Sequence, residues 1–280
     1  MKIALRYLLI TLVFMMVTGV YAQRKPRLKG NREVTTVTDA LPPFSRLELA
    51  DDLAIVLKRS AEESFTITAD DNLVDVIKFK VNNGTLVISS FYEITSRKEL
   101  NIVVTFSQLE MITVKEGRVE TAEGERINTD ALQIETYGNS RVRLDGDVGT
   151  LSVEMRDNSK GEYTMTSDSL SVKMGQKSDA QLYVNAFSGS VDIQDNTLLQ
   201  LEGTSGSLDL KVRGNGKLRG QDFEVDDLTA GISDSGDARI FARNRLQIGL
   251  TGNARCYLFS EPEITLTAFK DNAEFFKRKK

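Results

Sequence analysis

The chain has 280 residues, 40% hydrophobic and 27% charged, with a formal net charge of −4. That is apolar enough to bury a core and excludes a disordered chain. With no His, no Trp and one Cys, it cannot run Ser-His-Asp or Cys-His catalysis, build a disulfide framework or hold a Cys-based zinc site.

Residues 1–22 read as an export signal. Lys2 and Arg6 give a positive start, Leu8 to Val20 is an apolar run, and Val20-Tyr21-Ala22 sets a cleavage point between Ala22 and Gln23. The run is shorter than the ~20 residues a membrane-spanning helix needs, so no stable transmembrane anchor is expected. Without Lys2 and Arg6, the balance of 36 basic and 40 acidic residues falls from −4 to −6. An acidic chain is a poor match for nucleic acid. Basic residues gather at the two ends, from Arg24 to Arg32 and from Lys277 to Lys280, and read as solvated termini.

Residues 23–43, with Pro26, Pro42 and Pro43, read as a charged linker. Over 44–108 the apolar residues alternate: Leu53-Ile55-Leu57, Phe65-Ile67 and Leu100-Ile102-Val104-Phe106. Asn82-Asn83-Gly84 predicts a hairpin joining Ile77-Phe79-Val81 to Leu86-Ile88. This segment is expected to be antiparallel strands covering the N-terminal end of one long domain, 44–280.

From residue 109 onward the chain is periodic. Turn-like triplets recur at Gly138-Asn139-Ser140, Asp157-Asn158-Ser159, Gln176-Lys177-Ser178 and Gln194-Asp195-Asn196, then at Gly214-Asn215-Gly216, Asp234-Ser235-Gly236, Gly252-Asn253-Ala254 and Asp271-Asn272-Ala273. Their last residues are spaced 19, 19, 18, 20, 20, 18 and 19 apart. Between them lie alternating apolar runs such as Leu151-Val153-Met155 and Leu170-Val172-Met174, the mark of strands with one buried face. Asn, Asp, Gly and Ser supply the bends. A sandwich has no reason to repeat its side chains at a constant interval, whereas a parallel β-helix-like solenoid of about 19 residues per coil does. Two residues past each triplet lie Val142, Gly161, Ala180, Leu198, Leu218, Ala238, Cys256 and Phe275. These form an inward column, so Cys256 reads as a buried small hydrophobe rather than a reactive thiol.

Catalytic candidates are weak. Asp145 with Asp147, Asp226 with Asp227, and Asp234 with Asp237 could in principle supply the two carboxylates of a glycosidase, but among 40 acids such pairs are inevitable. Arg141, Arg143, Arg156 and Arg213 could form a basic strip that neutralises a uronate. Ser233-Asp234-Ser235-Gly236-Asp237 resembles a calcium loop only loosely and reads as a plain turn. No catalytic, cofactor or metal residues are assigned.

Phe44-Ser45-Arg46-Leu47-Glu48-Leu49, Asp70-Asp71-Asn72-Leu73, Asn83-Gly84-Thr85-Leu86-Val87-Ile88 and the Gly-Asn-Ser-type repeats resemble the DUF2807 family of adhesin-like "head GIN" domains. The resemblance covers roughly Phe44 to Phe259. It implies a right-handed β-helix-like fold in exported proteins of the Bacteroidetes type, placed in the periplasm or on the outer surface of a Gram-negative cell. It carries no catalytic residues. Lys115-Glu116-Gly117-Arg118-Val119 stands where a Gly-Asn-Ser-type turn is expected and leaves the register of the first coil open. The functional expectation is a non-enzymatic adhesin or binding module of the cell envelope. Its partner would be a surface glycan or envelope protein, or a second copy in a homo-oligomer. The alternative is a carbohydrate-active β-helix enzyme, a lyase or hydrolase working through acidic residues.

Overall fold

The computed structural model describes residues 25–279. The export signal, its Ala22–Gln23 cleavage point and the first residues of the expected linker lie outside them.

The described chain is almost wholly strand. It opens with β1 (Arg27–Lys29), β2 (Val34–Ala40), β3 (Arg46–Leu49), β4 (Ala54–Arg59) and β5 (Ser64–Asp70). A single helical turn, α1 (Asp71–Val74), leads to β6 (Ile77–Asn82), β7 (Thr85–Ser90), β8 (Glu93–Ser96) and β9 (Leu100–Phe106). Short strands β10 (Met111–Val114), β11 (Arg118–Thr121) and β12 (Ile127–Thr136) begin the climb. The long strands β13 (Arg141–Met155), β14 (Lys160–Met174), β15 (Asp179–Ile193), β16 (Leu198–Val212), β17 (Lys217–Ile232) and β18 (Asp237–Leu250) each form most of a coil. The stack ends in β19 (Arg255–Leu258), β20 (Glu263–Phe269) and β21 (Glu274–Lys277).

From β10 upward every pairing is parallel, each coil lying on the one before. The result is a β-solenoid of about 9 turns with about 19 residues per coil. At ~4.8 Å between paired strands, the stack is on the order of 40 Å tall.

One inward column shows how the period makes the core. Leu86, Leu47, Ile112, Ile134, Val153, Val172, Val191, Leu210, Ala230, Ile248 and Leu266 align in unbroken register. A residue in such a column touches its equivalents above and below, so an apolar position in one coil favours an apolar residue at the same place in the next.

The corners explain the triplets. Asp157, Gln176, Asp195, Asp234 and Asp271 adopt φ between 59° and 63°, and Gly138, Gly214 and Gly252 take the same left-handed turn. Asp, Asn and Gly tolerate this region where most residues do not. The corners that carry an Asp or Gln side chain also cap the one below. The Gly138 N–H donates to Asp157 Oδ2 at 2.8 Å, Gln176 N–H to Asp195 Oδ2 at 3.0 Å, Gly214 N–H to Asp234 Oδ2 at 3.1 Å, and Gly252 N–H to Asp271 Oδ2 at 3.0 Å. The next residue adds short asparagine ladders: Asn158 to Asn139, Asn215 to Asn196 and Asn272 to Asn253.

The left-handed residue at the fourth corner is Asp195, so the triplet there is Asp195-Asn196-Thr197, one residue later than the sequence reading placed it. The corners then step by 19, 19, 19, 19, 20, 18 and 19 residues. The column member changes with it. Leu199, not Leu198, pairs with Ala180 and Leu218 and is fully buried.

Two expectations for the N-terminal part change. The segment 23–43 is not simply a linker: β1 pairs with β8, and β2 runs antiparallel along all of β5. Nor is 44–108 only an antiparallel cover. β3 and β4 form a coil of the stack, sandwiched in parallel between β7 and β9 on one side and β10 and β11 on the other. The antiparallel pairs are β2–β5, β5–β9 and the β6–β7 hairpin. That hairpin turns through Asn83 and Gly84, both at positive φ, as an Asn-Gly dipeptide does.

Candidate functional site

The side wall that begins at β11 carries a short basic ladder. Arg118, Arg141 and Lys160 are in direct parallel register on β11, β13 and β14, and all three are exposed. Among the described residues none of the three makes an ion pair. Like charges directly opposite on neighbouring strands repel, and only Asp179, in register with Lys160 on the next coil, offsets the ladder along its own column. It lies beside an open recess of about 390 Å³, whose wall also holds Glu120, Arg143, Glu162 and Asp179. There Arg143 Nε donates to Glu162 Oε2 at 2.9 Å, and this bond, with the Glu162 charge, raises the Arg143 guanidinium above its ordinary value.

The floor of the recess explains a glycine. A β-carbon on Gly161 would stand 2.4 Å from the Tyr163 ring. The Tyr163 ring turns inward and fills the space this column leaves at Gly161, and burial pushes its phenol far above the ordinary tyrosine range.

Of the four arginines singled out in the sequence, Arg141 alone belongs to the ladder. Arg156 pairs with Glu154 on its own coil, and Arg213 Nη2 reaches both oxygens of Asp192 at 2.7 Å. Arg118 and Lys160 were missed. Arg118 precedes Arg141 by 23 residues rather than 19, because the Lys115–Val119 turn sits in an irregular first coil. Gly117 closes that turn at φ 86°, where a β-carbon would lie 2.4 Å from the Leu53 carbonyl.

The acid pairs are held by other groups. Asp147 is gripped by Arg126, with Nε to Oδ2 at 2.7 Å and Nη2 to Oδ1 at 2.8 Å, and that bond keeps its carboxyl below the usual range. Asp227 is held the same way by Arg245, at 2.7 Å on each oxygen. Asp226 lies 3.4 Å from Arg243. A glycosidase acid needs a raised pKa, the opposite of what Arg126 and Arg245 impose. Asp234, the centre of the loose calcium-loop resemblance, spends Oδ2 on the Gly214 N–H. Among the described residues no three His, Cys, Asp or Glu side chains converge to hold a metal, and no helix is long and apolar enough to cross a membrane.

The model of the family described as "Putative auto-transporter adhesin, head GIN domain" matches residues 43–163 and again 158–262. The chain belongs to the DUF2807 family. The double match divides the stack near β14, consistent with coils that repeat one pattern throughout. Solved structures share the fold at low identity. A protein titled a putative adhesin from Parabacteroides merdae superposes with TM-score 0.67 at 14% identity, over 91% of this chain and 100% of its own. One titled a putative lipid binding protein, from Parabacteroides distasonis, gives 0.60 at 16%, over 90% and 100%. A second P. distasonis protein, titled a putative adhesin, gives 0.60 at 13%, over 89% and 99%. Among curated proteins no sequence matches the chain.

Proposed function

We propose that this DUF2807 chain is an exported, non-enzymatic binding module of the cell envelope, and that the Arg118–Arg141–Lys160 ladder takes an anionic, uronate-type surface glycan. The observation that carries the reading is the ladder itself: three cations at coil spacing on an open wall, none of them in an ion pair among the described residues, with Asp179 the next rung in register after Lys160. A polymer with carboxylates along its length can meet successive rungs, while Glu120 and Asp179 beside them accept hydrogen bonds from sugar hydroxyls. The adhesin description of the family supports a binding role. The arginine-held state of Asp147 and Asp227 speaks for binding over hydrolysis.

The test uses the exported chain against polygalacturonate, alginate and neutral dextran. Binding to the two uronates, weakened at high salt and at least tenfold by combined Arg118→Glu, Arg141→Glu and Lys160→Glu, supports the site. Equal binding to dextran, or an unchanged triple variant, overturns it. Release of sugar fragments would restore the enzyme reading. The export reading is checked by the mass of the secreted chain, which should begin at Gln23.

A further inference from the structure

We infer that the wall carrying the ladder holds a second subsite for the same glycan chain in its far coils, where Arg219 and Arg239 meet carboxylates and the Tyr257 ring packs against a sugar face. The ligand class rests on the proposed function; the subsite itself rests on register. One outward column lies two residues along from the ladder and so shares its face. From Glu162, beside Lys160, it continues through Gln181, Gln200, Arg219, Arg239 and Tyr257 to Phe276 without a break.

Arg219 and Arg239 are exposed and in direct register. Among the described residues neither makes an ion pair. Two guanidinium groups so placed repel each other, and their planar forks suit the paired oxygens of carboxylates. Arg143 and Glu162, lower in the same column, neutralise one another instead. Next after Arg239, Tyr257 is half-buried, and its ring stacks on Phe276 with centroids 5.2 Å apart and planes 16° apart. Arg278 lies 5.6 Å and 5.3 Å from the two centroids. A supported ring beside two cations suits the apolar C–H face of a sugar next to its carboxylate.

The flanking columns narrow the ligand. On one side Lys217 is opposite Asp237, and Arg255 Nε lies 3.1 Å from Glu274. On the other, Glu202 and Asp222 are in register, each accepting a hydrogen bond from a glutamine amide. These acids repel a densely charged polyanion and accept hydroxyl groups, so the surface fits a chain that alternates carboxylates with hydroxyls. The two patches also set a length. Seven coil steps of ~4.8 Å place Tyr257 about 34 Å from Arg118 along the stack. A disaccharide of about 10 Å covers one patch, whereas a chain of about ten sugars reaches both and gains the effective concentration of the second contact.

Isothermal titration of the exported chain with digalacturonate and decagalacturonate separates this subsite from the ladder. The parent should bind the decamer at least tenfold more tightly than the dimer. Combined Arg219→Glu and Arg239→Glu, with a native circular-dichroism spectrum, should bring decamer binding down to the dimer's level. Tyr257→Ala should weaken the decamer and Tyr257→Phe should not, because the ring rather than the hydroxyl makes the contact; an alanine variant equal to the parent overturns that contact. A folded double-arginine variant that binds the decamer as tightly as the parent, with the triple ladder variant weakened, overturns the subsite and leaves the ladder standing. The reverse pattern overturns the ladder and keeps the subsite. Equal affinity of the parent for both oligomers overturns the span of one chain across the two patches. Unchanged decamer binding in both variants, or none by the parent, overturns both sites.

Discussion

The carboxylate of Asp70 fills the place where a β-carbon on Gly30 would stand, with Oδ2 only 1.9 Å from that position. Asp70 is completely buried, and its two oxygens accept the backbone N–H groups of Arg32 at 3.0 Å, Lys98 at 3.1 Å and Glu99 at 3.1 Å. One side chain thereby ties the β1–β2 connection to the approach to β9 at the N-terminal end. Gly30→Ala must push the carboxylate off these donors or move its own backbone. The expected cost is about 1–3 kcal/mol, from overpacking and loosened buried hydrogen bonds. It should appear as a lower urea midpoint with an unchanged slope, and an unchanged midpoint would show that the cradle is slack.

Acid should unlock the same cradle. Burial alone would raise the Asp70 pKa, but the N–H groups of Glu99, Lys98 and Arg32, with the Lys98 charge, outweigh it and hold the carboxyl below 3.8. A group depressed in the folded state stabilises fully above its unfolded pKa, and that contribution disappears as pH falls through the folded value. Asp70→Asn, which turns an amide toward three donors, should be destabilised at pH 7. It should also lose less stability than the parent between pH 5 and 2. Denaturation curves across that range decide it: parallel acid limbs would remove Asp70 from the account.

The corner at Asp195 combines two requirements that can be separated. Its φ of 62° favours Asp, Asn or Gly, and its Oδ2 accepts the Gln176 N–H at 3.0 Å. Asp195→Gly keeps the conformation and loses the acceptor. Asp195→Ala loses both and should be the more damaging, by about 1 kcal/mol more, with a total near 1–3 kcal/mol. Asp195→Asn, which keeps an acceptor oxygen, should lie closest to the parent. Thermal melts of the three variants give the order, and an alanine variant as stable as the glycine one would contradict the strain argument.

The period was legible because each coil meets the same constraints: a left-handed corner, a small residue after it and apolar positions facing in. The inward place of Cys256, between Ala238 and Phe275, follows from spacing alone. The single slip, Leu198 for Leu199, arose because Gln194 and Asp195 are both turn residues and only φ distinguishes them. β2 was hidden by composition. Its Val-Thr-Thr-Val-Thr-Asp-Ala run is mostly exposed, so it lacks the alternation that marks a half-buried strand. The ladder was half hidden for a different reason. Arg118 joins Arg141 across an irregular coil, and charge on a surface carries no period unless the register is known.

Cys256 should be chemically silent until the stack opens. It is fully buried, and burial, with the Asp237 charge adding to it, pushes the thiol far above its ordinary range. A disulfide reagent at pH 8 should leave the native chain unlabelled and react in step with denaturant unfolding, since the thiolate is the nucleophile. Rapid labelling without denaturant would mean that the upper coils open locally.

The small residue after the fourth corner leads to a stabilising change. Thr197 is 1% exposed, in a buried column with Ser140, Ser159 and Ser178, and its hydroxyl has no hydrogen-bond partner. Ser178, by contrast, donates to the Gly175 carbonyl at 3.0 Å. A buried hydroxyl without a partner is unfavourable relative to a methyl group of the same shape. Thr197→Val keeps the β-branch and the volume while replacing that hydroxyl, and suits the strand that begins at the next residue. It should raise stability by up to about 1 kcal/mol. Ser178→Ala, which deletes a satisfied hydroxyl, should lower it. The pair is read in one urea titration series, and a Thr197→Val midpoint below the parent's would show that the hydroxyl is bonded after all.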